Sequence, residues 1–254
     1  MRKSDEMTTR EYWESSHTVS PRPRLPSSFL VSTRNLNRLL RREIRAGMEV
    51  LEIGCAPGKH LVWVTKVLGA RTACVDYSRR GMEFARKLFD VLGVEGDLRC
   101  ENVFSTTFPP EQFDVVYSVG VIEHFKDPRP VVRKHVELLK PGGKALIVIP
   151  HYGGVYGRFQ QYFDPENLKI HNTDIMTVSK LADLAPRDLS GEVTAAAMGR
   201  ISPWLISFEK KWPRVLAHAV RLCTNAVGLL QPFDIRPLCP FLVLSIVRKN
   251  QVLA

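Results

Sequence analysis

The sequence predicts one α/β domain with a doubly wound, Rossmann-like sheet of seven strands, mostly parallel, with an antiparallel last strand. Short apolar runs alternate with helix-length amphipathic segments between residues 48 and 150, which is the pattern of βαβ units. A glycine-containing turn follows the first run, and a long apolar run lies near the end of the chain. A chain of 254 residues, 44% of them hydrophobic, can bury one such core.

The apolar runs define the strands in order. Five runs alternate with helices and predict the parallel part of the sheet: 48–53, 71–76, 98–104, 113–119 and 144–150. Two later runs, 192–198 and 240–249, complete the sheet. Helices are predicted at 35–45, 60–68, 79–92, 128–139, 173–185 and 208–230, and a loop rich in glycine and aromatic residues at 151–163.

Composition and charge exclude several classes of protein. The five cysteines include no C-x-x-C pair, which argues against a zinc site or a disulfide framework and favours a reducing, cytoplasmic location. No cluster with metal-ligand spacing is visible, so the sequence predicts metal independence. The first residues are polar and contain no apolar signal segment. The net charge of +10 fits a basic solvated surface better than a dense binding patch.

The turn after the first strand carries the main functional signal. It contains Gly54, Ala56 and Gly58, is preceded by Glu52, and is followed about twenty residues later by Asp76. Glycine accepts unusual backbone angles and lets the backbone approach a ligand closely. An acidic residue at the end of the second strand can accept hydrogen bonds from ribose hydroxyls. The turn therefore predicts a nucleoside-type ligand at the carboxyl ends of the strands.

The spacing of the turn departs from the dinucleotide pattern G-x-G-x-x-G. A pyrophosphate prefers a helix N-terminus lined by glycine, whereas an acidic Glu52 suits a ligand with a cationic sulfonium and an amino-acid tail. The sequence therefore argues against an NAD-dependent oxidoreductase.

Four motifs occur in the order found in one large family. They are VLEIGCAPGKH (50–60), VDYS (75–78), QFDVVYSVGVIEHFKDP (112–128) and LLKPGGKALIVIP (138–150). With them the chain resembles the class I S-adenosylmethionine-dependent methyltransferases, in particular the methyltransferase type 11 group that includes the quinone-biosynthesis methyltransferases. The resemblance covers residues 48–150 and implies S-adenosyl-L-methionine as the cofactor, with S-adenosyl-L-homocysteine as the product.

The resemblance also implies contacts for the residues of the motifs. Gly54, Ala56 and Gly58 would form the turn under the methionine part of the cofactor, with Glu52 towards its amino group. Asp76 would accept from the ribose hydroxyls. The other implied contacts are Tyr77 along the adenine, Asn102 and Val103 at the adenine edge, and Ser118 and Val119 near the sulfonium and methyl group. Asn102 stands where the family usually has aspartate, so this position keeps an acceptor and loses a charge.

Three zones follow along the chain within one structural domain. Residues 1–47 are expected to form an N-terminal lid and a first helix, 48–150 the cofactor-binding core, and 151–254 the cover of the acceptor pocket together with the last strands. Tyr12 and Trp13 are candidates for the lid, or for ordinary docking onto the domain. Tyr152 and Tyr156 are candidates for a wall of the acceptor pocket, or for a packed cover.

The acceptor side offers two candidate general bases, His151 and His171, each of which could equally be a surface histidine. His124, in the EHF element, is interpreted as structural. Methyl transfer to oxygen, nitrogen or carbon of a small or medium-sized molecule, lipid-like or glycan-linked molecules included, is the predicted function.

Two other functions are weighed against this one. A non-catalytic relative that serves as a binding or scaffold protein is the alternative. A nucleic-acid methyltransferase is disfavoured, because the position after the fourth strand holds neither a Pro-Pro-aromatic element nor a cysteine.

The segment 210–230 begins with basic residues and continues as an apolar helix. Three roles stay open for it: a cover over the acceptor, peripheral contact with an anionic membrane, and contact with another subunit. The cover is favoured, and the oligomeric state is left open.

Overall fold

The computed structural model describes residues 6–16, 23–188 and 191–249. Within them, a seven-stranded sheet has the order β3-β2-β1-β4-β5-β7-β6. Its strands are β1 Glu49–Ile53, β2 Arg71–Val75, β3 Asp97–Arg99, β4 Phe113–Val119, β5 Leu139–Pro150, β6 Gly191–Met198 and β7 Phe241–Arg248. Strands β1 to β5 pair in parallel, and β7 runs antiparallel to both of its neighbours. The predicted sheet and its antiparallel last strand are confirmed.

Helices cover both faces of the sheet. They are α1 Arg10–Ser16, α2 Val31–Glu43, α3 Lys59–Trp63, α4 Arg79–Leu92, α5 Arg129–Glu137, α6 Val155–Phe163, α7 Pro165–Lys169, α8 Val178–Ala182 and α9 Arg214–Leu230. A π-helical segment, Val64–Leu68, continues α3. Two 3-10 turns, Ile122–His124 and Thr173–Ile175, lie near the carboxyl edge of the sheet.

Two hydrophobic cores form because alternate side chains of a strand point to opposite faces. Leu51 and Ile53 of β1 enter the core shared with α5 and α8. Val50 of the same strand enters the core shared with α2, α3 and α4. Burial on both faces explains why the parallel strands read as nearly continuous apolar runs.

The strand order reverses between β1 and β4. The chain places β2 and β3 on one side of β1 and then returns to add β4 on the other side. The connections that leave β1 and β4 therefore diverge, and a crevice opens at their carboxyl ends. This crevice is where the sheet can bind a ligand.

Three elements differ from the sequence-based expectation. Strand β3 ends at Arg99, because the Asn102 side chain accepts from the backbone N–H of Phe104 and starts a turn there. The expected loop at 151–163 contains helix α6, whose Tyr156 and Phe163 pack into a small third core. The helix expected at 173–185 is divided into a 3-10 turn and the short α8.

In the part of the chain that the structure describes, no helix has the length and hydropathy needed to cross a membrane.

Candidate active site

A cleft opens at the carboxyl ends of β1, β2 and β4. Three parts of the chain form it: the turns after these strands, the segment after β3, and the N-terminal segment that lies across them. The lining residues are Glu6, Thr8, Trp13, Ile53, Gly54, Ala56, Val75, Asp76, Tyr77, Glu101, Asn102, Val103, Phe104, Val119, Gly120, Val121, His124 and Phe125. Seven of the ten residues predicted to bind the cofactor are among them: Gly54, Ala56, Asp76, Tyr77, Asn102, Val103 and Val119.

Gly54 brings two turns of the cleft into contact. Its φ is +73°, and a Cβ at this position would lie 2.5 Å from Cγ2 of Val121. Its N–H donates to the carbonyl of Val75 at 2.9 Å, which joins the turn to β2. Glycine is therefore required here both for the backbone angle and for the close approach of the turn that follows β4.

Gly58 shapes the turn from behind and does not line the cleft. Its φ is +82°, and a Cβ there would lie 3.1 Å from the Cβ of Ala85 on α4. The close packing of α3 against α4 is thus the physical basis for a glycine at position 58 of the predicted turn.

Asp76 connects the turn after β1 with the start of α4. One carboxylate oxygen accepts from the N–H of Ala56 at 3.0 Å, and the other accepts from the N–H of Ser78 at 2.9 Å. The residue itself lines the cleft. Asp76 is thus fixed in orientation by the backbone on both sides.

The segment after β3 forms a largely apolar wall opposite the turn. Val103 and Phe104 line this wall, and Asn102 lies at its exposed end. The Phe104 ring packs edge-on against Phe125 at 6.0 Å. Tyr77 also lines the cleft. The pKa of its hydroxyl is raised well above the usual range, mainly because the side chain is buried. The wall is suited to a flat ring with a polar edge.

Glu52 is not among the described residues that line the cleft, and its contact with the ligand stays a prediction. Its side chain is buried on the opposite face of β1, and the hydroxyl of Tyr117 donates to Oε2 at 2.8 Å. Burial raises the pKa of Glu52 to about 8. Its contribution is therefore to the packing beneath the glycine turn.

Ser118 also points away from the cleft. It is fully buried, and its hydroxyl lies 2.9 Å from Nε2 of His135. The other ring nitrogen of His135 lies 2.8 Å from the carbonyl of Val131 and donates to it. Val119, the next residue of β4, faces the cleft instead, because neighbouring side chains of a strand alternate between faces.

The N-terminal segment closes one side of the cleft. The N–H of Met7 donates to the carbonyl of His124 at 2.7 Å, and the Trp13 ring packs edge-on against the His124 ring at 5.0 Å. Helix α1 is attached to the start of α4 by Glu14, which accepts from the N–H groups of Arg79 and Arg80. Trp13 lines the cleft, whereas Tyr12 is 39% exposed and packs against Trp13.

Besides His171, three residues predicted for the acceptor side are absent from the lining of the cleft. Nδ1 of His151 lies 3.0 Å from the carbonyl of Cys239, next to β7. The hydroxyl of Tyr156 donates to the carbonyl of Leu238, so this buried residue belongs to the packed cover. Tyr152 donates to the carbonyl of Leu205 and packs against the His171 ring at 5.3 Å.

His171 and His124 lie together at the edge of the cleft. Their ring centroids are 4.7 Å apart, and His124 lines the cleft itself. Burial lowers the pKa of His124 to about 4 and that of His171 as well, so both rings are neutral at pH 7. Glu123, which is 1% exposed, completes the group, and burial raises the pKa of its carboxyl to about 8.

Sequence reasoning missed this group, and the EHF element was its one local signal. Glu123 and His124 come from the 3-10 turn after β4, whereas His171 follows α7. Donor atoms of the three side chains all lie within 4.8 Å of one another. The metal independence predicted from spacing along the chain stays a prediction, although these three side chains could together hold an ion.

Helix α9 does not cover the cleft. None of the described residues that line the cleft comes from 210–230. Helix α9 packs on α2 and on the 3-10 turns that precede it, and it leaves an apolar stripe exposed. The largest side chains of that stripe are Val215, Leu216, Leu222, Val227 and Leu230. The expected cover over the acceptor stays a prediction, as do contacts with a membrane or another subunit.

The fold and the cleft together resemble those of one class of protein. A seven-stranded sheet with this strand order, an antiparallel β7, and a glycine turn paired with an acidic residue at the end of β2 are the features of class I methyltransferases. Residues 51–147 match the model of a family described as a methyltransferase domain.

Relatives of known sequence and structure agree with this classification. The chain is 36% identical over 98 residues to a ubiquinone biosynthesis O-methyltransferase of Ruegeria pomeroyi, and the match covers 39% of each chain. The chain therefore matches less than half of the length of that relative. Residues 51–147, less than half of the chain, are therefore similar to a methyltransferase domain.

Two solved structures share the fold at low sequence identity. One is a Haemonchus contortus phosphoethanolamine N-methyltransferase in complex with phosphomonomethylethanolamine and S-adenosylhomocysteine. It has a TM-score of 0.59 and 19% identity, and the match covers 86% of this chain and 53% of that one. The other is the cyclase SpnF, with a TM-score of 0.57, 16% identity and coverage of 85% and 80%.

Proposed function

We propose that the protein binds S-adenosylmethionine in the cleft and transfers its methyl group to an oxygen, nitrogen or carbon atom of a small or medium-sized molecule. The observation that carries this proposal is the meeting of Gly54, Asp76 and Val119 at the point where the strand order reverses. The cofactor supplies an activated methyl group when bound. The residues of the chain supply binding, orientation and exclusion of water.

Asp76 is the proposed ribose contact. Its carboxylate lines the cleft and is held in a fixed orientation by the N–H groups of Ala56 and Ser78. Two ribose hydroxyls need such acceptors at fixed positions. Asp76 and its backbone partners therefore fit the ribose of S-adenosylmethionine.

The wall after β3 is the proposed adenine site. Tyr77, Val103 and Phe104 offer apolar surface, and Asn102 offers a polar side chain at the exposed end. Because Asn102 Oδ1 already accepts from the N–H of Phe104 at 2.9 Å, its amide NH₂ is the group left to donate to a ring nitrogen.

The turn after β4 is the proposed site of the reacting methyl group. Val119, Gly120 and Val121 line this end of the cleft, and Trp13 lies beside it on the N-terminal segment. Apolar side chains here keep water away from the reaction, and rigid placement of the two reactants supplies much of the rate in a displacement at carbon.

His171 is the better supported of the two predicted general bases. It packs on His124, which lines the cleft, and burial keeps the ring neutral and able to accept a proton. His151 lies beside β7 and uses Nδ1 for the carbonyl of Cys239, so it ranks second.

The proposed acceptor is a small or medium-sized molecule, and the proposal does not restrict its chemical class. The relatives include an O-methyltransferase and an N-methyltransferase by name, so either type of atom is consistent with the family. The exposed stripe of α9 favours a lipid-like acceptor or a membrane contact over a nucleic acid. Flotation with anionic liposomes tests the membrane contact, and recovery of all the protein in the unbound fraction would exclude it.

The first experiment is a calorimetric titration with S-adenosylhomocysteine. We expect micromolar binding by the wild type and binding at least tenfold weaker in Asp76→Asn, because one or two charge-assisted hydrogen bonds contribute about 1.5–3 kcal/mol each. The matched control is Asp114→Asn. Asp114 accepts from the N–H of Glu49 at the opposite end of the sheet, so this variant should bind like the wild type.

Absence of binding by a folded wild-type protein would contradict the proposal. The alternative, a non-catalytic relative that serves as a binding or scaffold protein, would then be favoured. Equal weakening in Asp76→Asn and Asp114→Asn would show a general loss of stability and would remove Asp76 from the site.

A further inference from the structure

We propose that the protein binds the surface of an anionic lipid bilayer through α9 and the segment that precedes α2. Together these parts of the chain form one surface, the α9 face, which exposes large apolar side chains to solvent. They include Phe29, Trp204, Val215, Leu222, Leu230 and Phe233. Single exposed apolar residues are normal on a protein surface, but a contiguous group of them marks a binding surface.

Helix α9 is apolar on its outer side. Val215 and Leu230, near its two ends, are 83% and 84% exposed. Leu222 follows Val215 by seven residues and precedes Leu230 by eight, which is about two helical turns in each case, so the three side chains share one side of the helix. The outer side of a helix in a water-soluble protein normally carries charged residues, whereas α9 contains no aspartate or glutamate. This outer side is suited to an apolar medium.

Asn225 attaches the segment before α2 to α9. Its side-chain NH₂ donates to the carbonyl of Phe29 at 2.8 Å, and its Oδ1 accepts from the N–H of Val31 at 2.9 Å. Gly228 allows a close approach, because a Cβ there would lie 3.0 Å from Cγ2 of Val31. Phe29, which is 78% exposed, is therefore held next to the C-terminal half of α9.

The α9 face also carries most of the positive charge of the chain. The two segments that form it, 23–38 and 200–238, contain nine lysine and arginine residues and two acidic residues. Both acidic residues, Glu209 and Asp234, form ion pairs with arginines of these same segments. The two segments therefore supply seven of the ten net positive charges of the whole chain.

This charge determines which partner fits the apolar stripe. In a symmetric contact between two copies the same surface of each copy meets, so the excess positive charges would face each other and repel. A nucleic acid complements the charge, but its interfaces with proteins are polar and would leave the apolar side chains without a partner. An anionic bilayer satisfies both requirements, since apolar side chains enter the boundary of the acyl chains while lysine and arginine contact the headgroups.

The α9 face lies at the same edge of the sheet as the cleft. Met198, the last residue of β6, and Pro150, the last residue of β5, both pair with Phe241 at the start of β7. The segment 199–240, which contains α9, therefore leaves and re-enters the sheet at the carboxyl edge of the parallel strands, where the cleft opens. Membrane binding would bring this edge to the bilayer, and the acceptor would be a molecule presented at the membrane surface. This last step deepens the proposed function and depends on it.

The test is sedimentation of the full chain with two kinds of vesicle, one of phosphatidylcholine alone and one of phosphatidylcholine mixed with phosphatidylglycerol. We expect binding to the mixed vesicles that weakens as the salt concentration rises. The partition coefficient should fall by about tenfold or more in Leu222→Asp, which places a charge on the apolar stripe, and in the double variant Lys210→Glu/Lys211→Glu.

Helix α4 provides a matched control for each variant. Val91 is 57% exposed and Leu222 is 56% exposed, so Val91→Asp makes an equivalent change on a helix outside the α9 face. Arg86 and Lys87 are adjacent exposed basic residues, and Arg86→Glu/Lys87→Glu changes the net charge by the same amount as the double variant on the α9 face. Both controls should bind the mixed vesicles like the wild type, and thermal unfolding verifies that each variant is folded.

The outcomes separate the membrane contact from its rivals and from the proposed function. Absence of binding to the mixed vesicles by the folded wild type, or equal losses in the α9 variants and in the α4 controls, would overturn the proposal. A dimer that Leu222→Asp dissociates in analytical ultracentrifugation, without vesicle binding, would assign the face to a second copy instead.

Binding of S-adenosylhomocysteine is titrated on the same samples without vesicles and should be unchanged in Leu222→Asp. Vesicle binding without cofactor binding would contradict only the proposed function, and the reverse result would contradict only the membrane contact.

Discussion

Replacement of Gly54 by alanine isolates the contact between the two turns that form the cleft. A Cβ at this position would lie 2.5 Å from Cγ2 of Val121, which is far inside van der Waals contact. The residue also has a φ of +73°, where an L-residue with a Cβ is strained. The substitution therefore combines two separate costs.

The cost of the positive φ and the cost of the contact with Val121 can be estimated and measured separately. The positive φ costs about 1–2 kcal/mol, and overpacking costs about 1–3 kcal/mol more, so Gly54→Ala should lower the free energy of unfolding by about 2–5 kcal/mol. Gly93→Ala is the matched control, because Gly93 has a φ of +60° and a Cβ added there would meet no atom within 4 Å. Gly93→Ala should therefore show only the cost of the positive φ.

A second substitution tests the contact directly. In the Gly54→Ala background, Val121→Ala removes the clashing methyl and should restore stability relative to the single variant, whereas in the wild type it removes a partly buried contact and destabilises. Urea unfolding gives the free energies, and titration with S-adenosylhomocysteine shows whether the displaced turn loses affinity. If Gly54→Ala were no more destabilising than Gly93→Ala, or if Val121→Ala failed to restore it, the reasoning would be refuted.

Two further predictions concern His135 and the N-terminal segment. Burial lowers the pKa of His135 from 6.5 to about 4, so as the pH falls the unfolded chain takes up the proton first. Between pH 7 and pH 5, the free energy of unfolding should fall by about 2 kcal/mol more in the wild type than in His135→Gln, and equal decreases in urea unfolding at the two pH values would contradict this. Glu14→Gln weakens the attachment of α1 to α4 and should make S-adenosylhomocysteine dissociate about fivefold faster, for a loss of about 1 kcal/mol. Stopped-flow fluorescence measures this rate, the exposed Glu83→Gln is the control, and an unchanged rate would remove α1 from the closure of the cleft.

The predicted residues that do line the cleft are those whose chemistry is local. A residue such as Gly54 is needed for its own backbone angle, and Asp76 follows directly on its strand. Both requirements act within a few residues of the turn, so they can be recognised in the local sequence. The order of the strands is likewise readable, because apolar runs and helical segments alternate at regular intervals.

The face on which a strand residue lies was harder to predict. Strand β4 is apolar on both faces, so its sequence has no alternation to show whether Ser118 or Val119 faces the ligand. The strand register does not separate the two, since Ser118 pairs with Ile53, which itself lines the cleft. The tertiary contact of the Ser118 hydroxyl with His135 fixes the direction of that side chain. Both faces of β1 are buried as well, so alternation cannot show the direction of Glu52 either.

The acceptor side could not be predicted, because its parts are joined by tertiary contacts alone. His124 and His171 are separated by 47 positions in the sequence and meet only because Asn172 fastens one segment to the other. A histidine in an irregular segment gives no periodic signal. Spacing along the chain therefore predicted no cluster where the fold makes one.

The two halves of the cleft differ in how far the fold determines their chemistry. A methyltransferase and the cyclase SpnF share the fold of this chain at 19% and 16% identity. A fold shared at such identity does not determine the reaction, so the chemistry must come from the side chains at the site. Among the described residues, His124 lines the cleft and packs against His171, and both lie outside the glycine turn. We expect variants of these two side chains to say more about the acceptor than variants of the glycine turn.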